Sequence, residues 1–176
     1  IMKMCVIVLI SLLTLSIDAI ASPCESEDFE TTVSGKSECL LMRRYGSVDP
    51  KALIVWLHGN VSEGGPASSH FRLAEKAAND LAVDRILAVA LVRPGYPDGT
   101  GAYSSGSDNG RADNWRRPTV LEIGTVIERL KSKFKPDITI VVGHSGGAAI
   151  AAVLLGMQPG LADAAIMIGC PCDMTA

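Results

Sequence analysis

Residues 138–150 read ITIVVGHSGGAAI. A run of β-branched and apolar residues, Ile138 to Val142, ends at a serine fenced by glycines, Gly143-His144-Ser145-Gly146-Gly147, and passes into an alanine-rich stretch. The β-branched run predicts a buried strand and the alanines a helix, so the pentapeptide must be a sharp strand-to-helix turn. In such a turn the central residue takes a strained backbone conformation and its side chain stands clear of the sheet. The residues two before and two after approach so closely that only small side chains fit. Gly143 and Gly147 occupy those positions, which makes Ser145 a candidate nucleophile.

Working outward, the same alternation recurs. Apolar runs predict strands at Cys39–Met42, Ala52–Leu57, Ile86–Val92, Ile138–Val142 and Ala164–Ile168. The last four are nearly continuous in apolar residues, as strands buried on both faces of a parallel sheet must be. Between them, helical periodicity marks Ser69–Leu81, Pro118–Phe134 and Gly146–Leu155. Strand alternating with helix implies an α/β fold, a mostly parallel sheet with helices on both faces, in one domain without internal repeats.

A serine that attacks a carbonyl needs donors for the oxyanion that forms. The backbone N–H of Gly146, at the start of a helix, is one candidate. The second is the N–H of Asn60, in the His58-Gly59-Asn60 segment that ends the strand beginning at Ala52. A net charge of −3 provides no basic field for a nucleic-acid backbone, and the basic residues around Arg129–Lys135 read as a solvated helical face. No cofactor or metal site is expected, because Cys170-Pro171-Cys172 lacks zinc-ligand spacing and histidine partners.

The N-terminus reads as a secretory signal over residues 2–21. Lys3 precedes an apolar run from Met4 to Ile17, too short for a membrane span, and Ala19-Ile20-Ala21 provides the small-x-small pattern before a cut at Ser22. The mature chain would be secreted or periplasmic, with no membrane attachment. In that oxidising compartment Cys24, Cys39, Cys170 and Cys172 read as disulfide formers, with Cys24–Cys39 the preferred pair.

The HGN strand end, ILAVALVRPGY and GHSGG together resemble the α/β-hydrolase superfamily, in its esterase, dienelactone-hydrolase-like or prolyl-oligopeptidase-like branches, from Cys39 onward. The resemblance implies that Ser145 is the nucleophile and that Asn60 and Gly146 are oxyanion donors. The expected substrate is a small-molecule ester or a peptide-like amide, with ester hydrolysis first, peptide hydrolysis second and a catalytically dead binding module third. The family's order places an acid and then a histidine after the serine, and no histidine follows Ser145. His58, His70 and His144 are poorly placed as bases, and Asp163 and Asp173 are the acids that follow. With Ile1 at the start and CPCDMTA at the end, the expectation is a hydrolase fold lacking its last strands, incomplete over 22–176, whose base lies beyond residue 176. The stretch Pro94–Arg117 is long enough to wall a substrate pocket, with Tyr96, Tyr103 and Trp115 as candidate contacts.

Overall fold

The structure, a computed structural model, describes residues 23–111 and 115–172. The expected signal segment, its cut at Ser22, and Asp173 lie outside the described residues. Six strands form one sheet: β1 (Thr32–Ser34), β2 (Cys39–Gly46), β3 (Ala52–Leu57), β4 (Ile86–Leu91), β5 (Ile138–His144) and β6 (Ala164–Ile168). Three helices connect them: α1 (Phe71–Asp80), α2 (Arg117–Phe134) and α3 (Gly146–Met157). The spatial order is β1-β2-β4-β3-β5-β6. The β1–β2 and β2–β4 pairs are antiparallel, while β3–β4, β3–β5 and β5–β6 are parallel.

This order contains a switch point. From β3 the chain steps through α1 to β4 on one side, then crosses through α2 to β5 on the other side of β3. Crossovers of one hand running in opposite directions place their helices on opposite faces, and a crevice opens where the two directions part, at the carboxyl ends of β3 and β5. Those ends are in register, Leu57 opposite Gly143, so the residues following Leu57 and Gly143 emerge side by side.

The alternation of side chains along the strands sorts the core into two layers. Leu53, Val55 and Leu57 of β3 and Leu87, Val89 and Leu91 of β4 face α2 and α3, where Val120, Ile123, Ile127, Leu130, Ile150 and Leu154 complete the main cluster. On the other face Ala88 and Ala90 of β4 meet Ala74 and Ala78 of α1. Small side chains on both elements set that helix close to the sheet. All six residues of β4 are buried, as its continuous apolar run predicts. The run of β6 predicts the same, yet Ile166, Met167 and Ile168 are about half exposed. Among the described residues β6 is the outer strand of the sheet, and nothing pairs with its second edge.

Cys24 and Cys39 form the expected disulfide, Cα–Cα 4.8 Å, tying the segment before β1 to the start of β2. A cross-link over a separation of 15 residues stabilises a fold by about 3 kcal/mol, chiefly by restricting the unfolded chain. Cys170 and Cys172 are also joined.

The first part of the long stretch, from Pro94 to Ser105, is folded more tightly than its composition suggests. Pro97 and Tyr103 form an antiparallel bridge, and the Ser104 N–H donates to the Tyr96 carbonyl at 3.0 Å. This doubling back buries Tyr96 completely. Its ring lies edge-on to His58 with centroids 4.8 Å apart. Trp115 packs against the main core, and Tyr103 is 64% exposed. Of the three aromatic residues expected to touch substrate, two therefore serve the interior. Tyrosine and tryptophan carry enough apolar surface that burial outweighs solvation of one polar atom.

Candidate active site

The turn at the end of β5 has the strained geometry that the glycine pattern implies. Ser145 adopts φ 51° and ψ −121°, a combination that L-residues rarely adopt and that the surroundings must enforce. The enforcement is close packing. A Cβ on Gly143 would stand 2.5 Å from the Gly147 carbonyl oxygen, and one on Gly147 would stand 2.4 Å from the Leu57 carbonyl oxygen. No side chain is tolerated at those separations. The turn is held from both sides: the Ser145 N–H donates to Ile168 O of β6 at 2.8 Å, and its carbonyl accepts from the N–H groups of Ala148 and Ala149.

The loop after β3 lies against this elbow. A Cβ at Gly59 would come within 2.9 Å of Ser145 Cβ and 3.1 Å of His144 Nδ1. A Cβ at Gly146 would be 2.6 Å from Asn60 Oδ1 and 3.2 Å from Arg93 Nη1. The fold thus brings Ser145, Gly146 and Asn60 together, although 85 residues separate the first from the last in the sequence. A predominantly apolar cavity of about 240 Å³ opens beside them, lined in part by Trp56, Gly59, His70, Leu73, His144 and Ile168.

Histidine is the residue that a serine nucleophile would need, and all three in the sequence are placed by the structure. His58 is buried. Its Nε2 accepts from the Arg93 N–H at 2.9 Å, so the ring proton resides on Nδ1, which donates to Gly59 O at 2.7 Å. Burial, then the neighbouring Arg93 charge, hold its pKa well below the ordinary value. His70 is also buried, with Nε2 donating to Leu91 O at 3.0 Å, and burial lowers its pKa to about 4 despite that hydrogen bond. The two rings lie 5.2 Å apart, both neutral. His144 precedes Ser145 in the turn and is exposed. Among the described residues no hydrogen bond joins Ser145 to a histidine ring.

Asp163 is not an acid partner either. Its carboxylate accepts from the Thr139 N–H at 2.7 Å and its own N–H donates to Thr139 O, at the start of β5 and so at the opposite end of the strand from Ser145. Among the described residues no group of three His, Cys, Asp or Glu side chains could hold a metal.

One residue of the site escapes sequence reading. Arg93, directly after the apolar run of β4, is fully buried, and its Nη1 donates to His58 O at 3.2 Å and to Asn60 Oδ1 at 3.0 Å. Its guanidinium lies 5.3 Å from the centroid of the Tyr96 ring. The available signal is a cation placed where a wholly apolar strand enters the crevice, a position that an uncompensated charge could not occupy.

Similar solved structures include an epoxide hydrolase from Vigna radiata, 18% identical over 77% of this chain and 36% of that one, with a TM-score of 0.56. Epoxide hydrolase A from Mycobacterium thermoresistibile is 21% identical over 78% of this chain and 38% of its own, with a TM-score of 0.55. A serine hydrolase without a lid, XC6422 from Xanthomonas campestris, is 17% identical over 81% and 61%, also with a TM-score of 0.55. The chain therefore spans little more than a third of the epoxide hydrolases and under two thirds of the lidless enzyme, and at these identities the likeness is one of fold. No curated protein matches the sequence. A family model described as the alpha/beta hydrolase family matches residues 54–175, which include most of β3, the HGN loop after it, the elbow and β6. The chain belongs to the alpha/beta hydrolase family.

Proposed function

We propose that this protein is an exported serine hydrolase that cleaves carboxylic esters through an acyl-enzyme on Ser145. The observation that carries the reading is the backbone of Ser145, held at φ 51° between two glycines that admit no side chain and pressed against the Gly59-Asn60 loop. Strain of this kind persists only where the surroundings over-determine it, and it lifts a serine hydroxyl out of the sheet. In the proposed reaction the Ser145 oxygen bonds to the ester carbonyl carbon and its proton passes to a general base. The N–H groups of Asn60 and Gly146 hold the resulting oxyanion. Collapse expels the alcohol with that proton, and water then releases the acid. The base is a group of the natural protein other than the three histidines described above. The Cys24–Cys39 bridge supports an oxidising compartment and hence export.

The test is labelling of the natural full-length protein with a fluorophosphonate. Label is expected on Ser145, and Ser145→Ala should abolish both label and p-nitrophenyl ester hydrolysis. Turnover that survives in the alanine variant overturns the assignment.

One observation favours a second reading, a catalytically dead binding module of the same fold: no described histidine reaches Ser145. In that case the natural protein would bind ester-like ligands with no label and no turnover. Hydrolysis of aminoacyl anilides in preference to esters would indicate a peptidase instead.

A further inference from the structure

We propose that Arg93 is the positioning residue of the oxyanion loop, aiming the Asn60 N–H at the site above Ser145. The inference rests on the serine-hydrolase reading and names a residue which that reading does not use. Its starting point is where the two carbonyl groups of the His58-Gly59-Asn60 turn are directed. The His58 carbonyl accepts from Arg93 Nη1 at 3.2 Å. The Gly59 carbonyl accepts from His58 Nδ1 at 2.7 Å, and His58 is set in that tautomer because its Nε2 accepts from the Arg93 N–H at 2.9 Å. No peptide bond among the described residues is cis. In a planar trans peptide the C=O and the following N–H point in opposite directions. With the Gly59 carbonyl drawn to the His58 ring, the Asn60 N–H is turned the other way.

Arg93 therefore acts on the turn twice, once through its backbone, which orients the imidazole, and once through its guanidinium, which takes the His58 carbonyl. The same Nη1 donates to Asn60 Oδ1 at 3.0 Å, holding the Asn60 side chain against Gly146, where a Cβ would be only 2.6 Å from Oδ1. The Tyr96 ring backs the guanidinium. Both acceptors are reached from the one nitrogen Nη1, and burial of the rigid guanidinium fixes where that nitrogen stands. Nothing about the stability of β4 requires a cation at its end. The alignment of a donor that must meet an oxyanion within a few tenths of an ångström does require a rigid support.

The experiment uses the natural full-length protein and an alkylboronic acid, which adds to a reactive serine and places a negatively charged tetrahedral oxygen where the oxyanion would lie. Arg93→Met should lower kcat for p-nitrophenyl butyrate by roughly tenfold to a hundredfold, with KM changed less than about threefold. Boronate affinity should fall by the same factor as kcat, a parallel that a merely structural role would not produce. Arg93→Lys keeps the charge and should recover only part of both losses, and it serves as the principal variant if Arg93→Met does not fold. Boronate affinity unchanged in a folded Arg93 variant overturns the proposal. Boronate binding that survives Ser145→Ala instead overturns the underlying serine reading.

Discussion

Gly59 and Ser145 meet so closely that a methyl group on Gly59 would stand 2.9 Å from Ser145 Cβ and 3.1 Å from the His144 carbonyl oxygen. The His144 backbone is held by its pairing with Ile168 of β6, so the loop is expected to withdraw. Gly59→Ala is therefore expected to displace Asn60 from the elbow. Fluorophosphonate labelling of Ser145 should slow by tenfold or more, an estimate from the cost of losing one oxyanion donor, while the far-ultraviolet circular dichroism stays unchanged. A labelling rate equal to wild type would show that the loop has room to spare.

The strain at Ser145 makes an opposite prediction about stability. Glycine accepts φ 51° and ψ −121° without penalty, whereas an L-residue pays roughly 1–3 kcal/mol there. After allowing for the greater freedom of glycine in the unfolded chain, Ser145→Gly should stabilise the fold by about 1 kcal/mol and raise Tm by about 2–4 °C. Ser145→Ala keeps the strain and should not. Differential scanning calorimetry of the two variants side by side decides the point.

The four parallel strands and three helices were legible because each is a long run whose apolar spacing dominates its neighbours. β1 was not, since Thr32–Ser34 is a three-residue strand recognisable only through its pairing with β2. The elbow glycines were legible because close backbone approach has one chemical solution. Tyr96 was misread as a substrate contact because its burial depends on Ser104 returning to bond its carbonyl, a contact that local composition does not encode. Arg93 stayed hidden for the same reason: its acceptors on His58 and Asn60 belong to a loop more than thirty residues earlier in the chain.

Acid should weaken the fold within a defined window. His58 and His70 are both neutral when folded, and both are held below the ordinary value of 6.5 by burial. Below about pH 6.5 the unfolded chain takes up protons that the folded chain refuses, so the stabilisation is complete above that pH and is lost as the pH falls. For His70 the loss runs from 6.5 to about 4 and amounts to roughly 3 kcal/mol. His58 carries the decline further. Urea unfolding at pH 7.5 and pH 5 measures the difference, and His70→Gln should flatten it. Equal midpoints at the two pH values would contradict the burial of these rings.

Glu122 on α2 gathers the turn between β1 and β2. Its carboxylate accepts from the N–H groups of Lys36, Ser37 and Glu38 and from the Ser37 hydroxyl, at 2.5–3.2 Å. Glu122→Ala leaves these donors without their acceptor and is expected to cost about 2–4 kcal/mol. Glu122→Gln, which keeps the shape and loses the charge, should cost less. Chemical denaturation of both variants checks the order, and the reverse order would mean that the second acceptor oxygen and its charge matter more than the shape.

The hydrogen bond from the Ser145 N–H to Ile168 O suspends the proposed nucleophile from β6. The lifetime of that amide proton against deuterium should then report on the opening of the β5–β6 pair. When that bond opens, the turn at Ser145 loses one of the contacts that keep it wound. The strained turn is thus a local state whose opening can be followed on its own. Ser145 can lose its poise while β3, β4 and β5 remain paired with one another.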